Sequence, residues 1–265
     1  MADSRPLGIF DSGVGGLSVL REVRLLLPNE DLIYFADGAY VPYGPRPVSF
    51  IRQRAEAVSR FLLEEGAKAI VVACNTASVA ALGHLREVFK VPIVGMVPAV
   101  KPAAAATKSC KIGVLATETT VKGDAFADLV ERFASDIEVQ TVVGAGLVPL
   151  VEAGDVNSPR TETMVRGYIS PLVQHGADVI VLGCTHYPFL RPLIEQVAGP
   201  GVTVLDPAEA VARQARRVLE TNGLLRDSTE QGREVFYTSG NVSSFARVAS
   251  QLLGREVAVL AAAGV

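Results

Sequence analysis

Gly66-Ala67-Lys68-Ala69-Ile70-Val71-Val72-Ala73-Cys74 and, 110 residues later, Gly176-Ala177-Asp178-Val179-Ile180-Val181-Leu182-Gly183-Cys184 share five of nine positions and end on the same uncommon residue. Each opens on glycine, runs through an apolar stretch too short for a buried helix, and gives way to polar residues just after the cysteine. Each therefore predicts a buried strand with a thiol at its carboxyl end. Equal spacing to a rare residue points to duplication rather than to chance likeness between apolar strands. A fainter echo links Leu7-Gly8-Ile9-Phe10 with Ile112-Gly113-Val114-Leu115, 105 residues on.

Working outward, short β-rich runs recur at Leu7–Phe10, Leu32–Ala36, Ala69–Ala73, Ile93–Gly95, Ile112–Ala116, Val139–Val143, Val179–Leu182, Val202–Leu205 and Val235–Thr238. Between most of them lie stretches with helical spacing, such as Leu17–Leu27, Val48–Leu63 and Ala77–Phe89. This alternation predicts an α/β fold of two pseudo-symmetric domains, each a parallel sheet covered by helices, with the active site in the cleft between them. Prolines at Pro98–Pro102 and at Pro207 mark hinges. The first domain is expected to comprise residues 1–98 plus 208–265, and the second residues 99–207.

Composition narrows the class. A chain of 265 residues, 49% hydrophobic and 20% charged, is an ordinary globular protein with room for two cores. Its net charge of −3, without any Lys/Arg run, argues against nucleic acid as the main partner. The longest uncharged stretch, Ala69–Leu85, holds Asn75, Thr76, Ser78 and His84 and falls short of the ~20 apolar residues of a membrane span. The opening Met1-Ala2-Asp3-Ser4-Arg5-Pro6 lacks the basic-then-apolar order of a secretory signal, so a cytoplasmic setting with reduced thiols is expected. Three cysteines without CxxC spacing suggest neither a disulfide framework nor a metal site.

In parallel α/β sheets, chemistry collects at the carboxyl ends of strands, where Cys74 and Cys184 are both expected to face one cleft. A helix amino terminus following each would favour thiolate and bind a carboxylate. A thiol with a reference pKa near 8.5 titrates close to working pH. One cysteine can thus take a proton from a carbon while the other delivers one to the opposite face. Taken singly, each cysteine is better explained as a small buried hydrophobe; the pairing, and the polar Asn75-Thr76 and Thr185-His186 that follow, reverse that preference in favour of chemistry. Cys110, among Lys108, Ser109 and Lys111, is assigned no role, and His84 and His175 read as solvated. Asp11-Ser12-Gly13-Val14-Gly15-Gly16 follows the first strand. A phosphate loop is the rival reading there, but the Lys-Ser/Thr of a P-loop is missing and Asp11 would repel phosphate. Asp11 instead suits an ammonium group or the orientation of a catalytic proton, with turn capping as the plainer alternative; Asp37 holds a similar position at the second strand.

The segments Gly8-Ile9-Phe10-Asp11-Ser12-Gly13-Val14-Gly15-Gly16-Leu17, Val41-Pro42-Tyr43-Gly44, Ala73-Cys74-Asn75-Thr76-Ala77 and Leu182-Gly183-Cys184-Thr185-His186-Tyr187-Pro188 resemble those of the glutamate racemases, within the aspartate/glutamate racemase superfamily, over nearly the whole chain. The resemblance implies interconversion of L- and D-glutamate without pyridoxal phosphate, other cofactor or metal, supplying D-glutamate for bacterial peptidoglycan, by a chain that commonly forms homodimers. It implies that Cys74 acts on the D-enantiomer and Cys184 on the L-enantiomer, assisted by Asp11, Glu152 and His186. The implied substrate contacts are Asp11, Ser12, Tyr43, Gly44, Asn75, Thr76, Thr117, Thr120 and Thr185. Main-chain N–H groups around Tyr43-Gly44 would bind one carboxylate. Two departures, Gly38 in place of a hydroxyl residue and Gly144-Ala145 in place of Cys-Pro, bear on the pocket rim rather than on the reaction. The competing functions are a related racemase of aspartate or another small acid, a non-catalytic amino-acid-binding protein, and a thiol redox enzyme. The last is disfavoured by the lack of a resolving CxxC partner.

Overall fold

A computed structural model describes residues 3–262 and 264–265. Met1, Ala2 and Ala263, which belong to the expected first domain, and to the opening segment in the case of the first two, lie outside the described residues. In chain order the elements are β1 (Leu7–Asp11), α1 (Leu17–Leu26), β2 (Leu32–Ala36), α2 (Val48–Glu64), β3 (Ala69–Val72), α3 (Asn75–Val88), β4 (Ile93–Val94) and α4 (Val100–Ala106). Next come β5 (Lys111–Ala116), α5 (Glu118–Lys122), α6 (Asp124–Phe133), β6 (Glu138–Val143), α7 (Leu147–Glu152), α8 (Pro159–Gln174), β7 (Val179–Gly183), α9 (Arg191–Ala198) and β8 (Thr203–Leu205). The chain closes with α10 (Ala208–Thr221), β9 (Glu234–Thr238), α11 (Val242–Leu253) and β10 (Val259–Ala261).

Among the described residues every strand pairing is parallel. One sheet runs β10-β9-β2-β1-β3-β4 and the other β6-β5-β7-β8. The orders β2-β1-β3-β4 and β6-β5-β7-β8 are the same path walked twice, so the repeat in sequence is also a repeat in topology. Register agrees: Gly8 of β1 pairs with Ile70 of β3, and Gly113 of β5 with Ile180 of β7. Both glycines let a helix sit close. A Cβ at Gly8 would lie 3.2 Å from Leu62 of α2, and one at Gly113 2.9 Å from Leu172 of α8. Leu62 and Leu172 are themselves 110 residues apart, as the two cysteines are.

The central strands β1, β2, β3 and β7 are buried throughout, which is why they read as unbroken apolar runs rather than alternating ones. The edge strand β6 has exposed Glu138, Thr141 and Val143. Several limits differ from the sequence reading. The third helix begins at Asn75 rather than Ala77, because Cys74 itself caps it. The eighth strand begins at Thr203 rather than Val202, and the expected hinge at Pro98–Pro102 is partly taken up by α4. The last strand, β10, was not foreseen; it is three residues long and largely exposed at the sheet edge. Cys110 is no core residue but an exposed turn residue with φ 58°. His84 and His175 lie at partly exposed or exposed positions, beside Glu56 and Glu138. No helix is long and apolar enough to cross a membrane, among the described residues.

Candidate active site

Three strands deliver the reactive groups at their carboxyl ends, as parallel sheets do. β1 ends in Asp11, β3 leads into Cys74 and β7 into Cys184. Cys74 takes an extended conformation before α3, and its Sγ accepts the Ala77 N–H at 3.5 Å. Cys184 departs from expectation. It is not followed directly by an α-helix but by a 3-10 turn, Tyr187–Leu190, and only then by α9, since Pro188 and Pro192 lack the N–H groups a longer helix would use.

Both thiols are buried and line one small, nearly closed cavity of about 10 Å³. Ser12, Tyr43, Gly44, Asn75, Thr76, Thr117, Thr185 and His186 line it with them. The remaining residues singled out from the sequence, Asp11, Thr120 and Glu152, stand one hydrogen bond behind this wall. Asp11 Oδ2 accepts the Gly16 N–H at 2.8 Å and faces the Thr185 hydroxyl at 3.5 Å, while Oδ1 faces the Ser12 hydroxyl at 3.5 Å. It therefore caps the turn as well as adjoining the cavity. Thr76, Thr117 and Thr120 form a hydroxyl chain with 2.9 Å at each link, joining α3 to the second sheet. Glu152 accepts from His186 Nε2 at 2.6 Å, and His186 Nδ1 lies 3.7 Å from Cys184 Sγ. The same Glu152 oxygen accepts the Val14 N–H from the opposite half at 2.8 Å.

Asn75 is 1% exposed, yet neither its carbonyl oxygen nor its amide nitrogen finds a partner. Buried amides are rarely left so, and this one lines the cavity, where a polar ligand would satisfy it. Among the described residues the N–H groups of Tyr43 and Gly44 likewise donate to no protein acceptor. A wider, mostly apolar cleft of about 190 Å³ borders the cavity and shares Pro42, Gly44, Thr117 and Val148 with it.

Electrostatics separate the two sides. Burial pushes the Cys74 thiol well up from its ordinary value and the neighbouring Asp11 charge pushes the same way, while the Ala77 N–H opposes. The expected lowering by the helix terminus is thus outweighed by desolvation. Burial also raises Asp11, against the positive charge of His186 and several hydrogen bonds. For His186, burial disfavours the cation, but the hydrogen bonds and charges of Cys184 and Glu152 prevail and hold the imidazole well above its ordinary range. The Cys184 side thus presents an imidazole whose protonation is favoured, and the Cys74 side a buried carboxyl. Among the described residues no group of three or more His, Cys, Asp or Glu side chains is arranged to hold a metal.

The family profile described as Asp/Glu/hydantoin racemase matches residues 16–215. The chain belongs to this racemase family. A glutamate racemase of Methylococcus capsulatus is 51% identical over 258 residues, 97% of this chain and 92% of that protein. Among solved structures, a glutamate racemase isoform from Bacillus anthracis superposes with a TM-score of 0.88 at 33% identity, covering 97% of each chain. The glutamate racemase of Francisella tularensis in complex with D-glutamate superposes with a TM-score of 0.85 at 30% identity, covering 98% of each. The resemblance carried by the cysteine motifs is thereby borne out, and so is the two-sheet α/β fold.

Several residues that brace the cavity escaped the sequence reading. Ser18, buried on α1, donates to the Thr185 carbonyl at 3.1 Å and so ties the two halves together. Thr119 donates to the Gly44 carbonyl at 2.6 Å, between the two threonines that were singled out. Tyr34 donates to the Gly13 carbonyl at 2.7 Å and braces the first loop from below. None carries a local motif; only the hydroxyl-rich run Thr117-Glu118-Thr119-Thr120 hinted at Thr119.

Proposed function

We propose that this chain interconverts L- and D-glutamate by exchanging the Cα proton between Cys74 and Cys184. The observation that carries the reading is the pair of thiols, at equivalent strand ends of two like sheets, opening on one cavity with an unsatisfied amide in its wall. Support comes from the Methylococcus capsulatus relative, a glutamate racemase, and from the Francisella tularensis relative, which holds D-glutamate.

In the reaction proposed, the Tyr43 and Gly44 N–H groups and the Asn75 amide bind carboxylate, and Ser12 and Asp11 face the ammonium. A thiolate on one side takes the Cα proton, and the C–H electron pair passes into the α-carboxylate. The thiol opposite then gives its proton to the other face of Cα and keeps the S–H pair as thiolate. The enzyme ends each turnover with its two sulfurs exchanged in state, ready for the reverse reaction. His186 and Glu152 serve Cys184, which acts on the L-enantiomer; Asp11 serves Cys74, which acts on the D-enantiomer. Residues 1–98 with 208–265, and residues 99–207, are the two units that meet on the substrate. The chemistry asks for no prosthetic group, and its product would be the D-glutamate of peptidoglycan, made in the cytoplasm.

The test is to incubate the purified chain with L- or D-glutamate in heavy water, without added cofactor, and to follow optical rotation and deuterium at Cα. Loss of rotation with deuterium in the product is expected, and Cys74→Ser and Cys184→Ser should each abolish it, a hydroxyl being a far weaker acid than a thiol. A protein that binds glutamate but leaves Cα unlabelled is a binding protein. One that racemises aspartate instead has the reaction right and the substrate wrong.

A further inference from the structure

We infer that Asp37, held by Arg54 and Ser239, is a positioning residue that orders the substrate-carboxylate loop through the Tyr43 hydroxyl. The inference rests on the reading of Tyr43–Gly44 as a carboxylate-binding segment given above. Asp37 follows β2, is 0% exposed and does not line the cavity between the thiols. Both its oxygens are fully used. Oδ2 accepts from Tyr43 Oη at 2.5 Å and Arg54 Nε at 2.9 Å, and Oδ1 from Arg54 Nη2 at 2.8 Å and Ser239 Oγ at 2.7 Å.

Burying an ion pair is costly, and a well-packed apolar pair could fill the same volume without that cost. What such a pair could not do is hold a hydroxyl. Tyr43 is buried in the same apolar cluster of the first half as Phe10, Phe35 and Ile51, with its oxygen tied to Asp37. With the hydroxyl tied to Asp37, Tyr43 and Gly44 both line the cavity, and among the described residues their N–H groups donate to no main-chain acceptor. Arg54 is fixed in turn over the Tyr40 ring, 3.9 Å from its centroid, so the loop is braced at two aromatic residues. Its far end is held from the other half: Thr119 donates to the Gly44 carbonyl, and a Cβ at Gly44 would lie 3.3 Å from Thr117. Ser239 brings in the segment after β9, more than 200 residues away in sequence. The C-terminal return of the chain thereby acts on the substrate loop. In this chain Gly38 offers no side chain to Asp37, and a Cβ there would lie 3.1 Å from Thr238 Oγ1, so the hydroxyl donor comes from Ser239.

The test uses Tyr43→Phe, which leaves the Asp37–Arg54 pair whole, alongside Asp37→Asn, the double variant, and Ser239→Ala. Losing one hydrogen bond to a charged group is expected to raise KM for both enantiomers about 10- to 100-fold in Tyr43→Phe, with the loss falling on KM rather than kcat. The affinity for glutarate should fall by the same factor. The double variant should then lose no more than Asp37→Asn alone, since each of the two already lacks the Tyr43–carboxylate link, and Ser239→Ala should show a smaller rise. Amide exchange in the ligand-free Tyr43→Phe protein should quicken at residues 41–45 and not in β1 or β3. Unchanged KM and glutarate affinity, a loss confined to kcat, additive effects in the double variant, or faster exchange across the whole first sheet would each overturn the assignment. A wild-type chain that binds glutarate but racemises nothing would sink the proposed activity, while glutarate affinity and exchange would still judge the role of Asp37.

Discussion

Replacing His186 by asparagine removes the imidazole that faces Cys184 while keeping much of its volume. Its Nδ1 lies 3.7 Å from the sulfur. At that range a full positive charge attracts a thiolate by ~4 kcal/mol at an effective dielectric of ~20. Part of this is offset by the desolvation already charged to a buried imidazolium, which leaves ~1.5–3 kcal/mol, the usual net value of a hydrogen bond to a charged group. At about 1.4 kcal/mol per decade, kcat/KM should fall about 10- to 100-fold. The two enantiomers have equal free energy in an achiral solvent, so kcat/KM must fall equally in both directions and cannot reveal which thiol was weakened. The isotope effect can. With α-deuterated substrates, His186→Asn should enlarge the primary effect for L-glutamate, whose deuteron is assigned to Cys184, and leave that for D-glutamate unchanged or smaller. A loss below about 3-fold, or equal isotope effects for both enantiomers, would show that His186 does not serve Cys184.

Three further outcomes follow from the geometry. Asn75→Leu replaces an unsatisfied buried amide by an apolar group of similar size, so the ligand-free protein should melt at a higher temperature while KM rises at least about 10-fold; a lower Tm with unchanged KM would refute the ligand-binding role. Gly15→Ala sets a Cβ 2.3 Å from His186 Nδ1 and 2.7 Å from Thr185 Oγ1, so overpacking of ~1–3 kcal/mol between the halves should cut kcat/KM about 10- to 100-fold with the far-ultraviolet spectrum unchanged. Asp11 is raised on folding above its ordinary value of 3.8. The folded chain therefore holds that proton more tightly than the unfolded one, and wild-type stability declines as pH climbs from about 4 through the folded-state value. Asn does not titrate, so Asp11→Asn should gain in Tm relative to wild type over that rise while losing activity. A Tm difference that stays flat with pH would contradict the shift.

The repeat ending at Cys74 and Cys184 carried the fold, because parallel strands buried on both faces show as unbroken apolar runs and because cysteine is rare enough for equal spacing to mean something. Element limits were legible wherever an apolar run met glycine or a polar residue, as at Leu32–Ala36. β10 was not, since Val259-Leu260-Ala261 lies at an exposed sheet edge where burial writes no pattern. The cavity residues were legible through motifs adjoining the thiols. The acid-base environment was less so: that a helix follows Cys74 could be read, but that burial outweighs its terminus depends on how much chain packs above it. Least visible were partnerships across distance. Asp37 was noticed only as a strand end; its donors Arg54 and Ser239 stand 17 and 202 residues away, and nothing local in the sequence ties them together.

The single oxygen of Glu152 that receives both His186 and the Val14 amide has a consequence for idle enzyme. Parting the two sheets would strip that oxygen of its Val14 donor and let water reach the imidazole, so the proton relay is whole only when the molecule is shut. A small wedge lodged between Gly13 and Glu152 would therefore disarm the thiol beyond it without touching either sulfur or mimicking an amino acid.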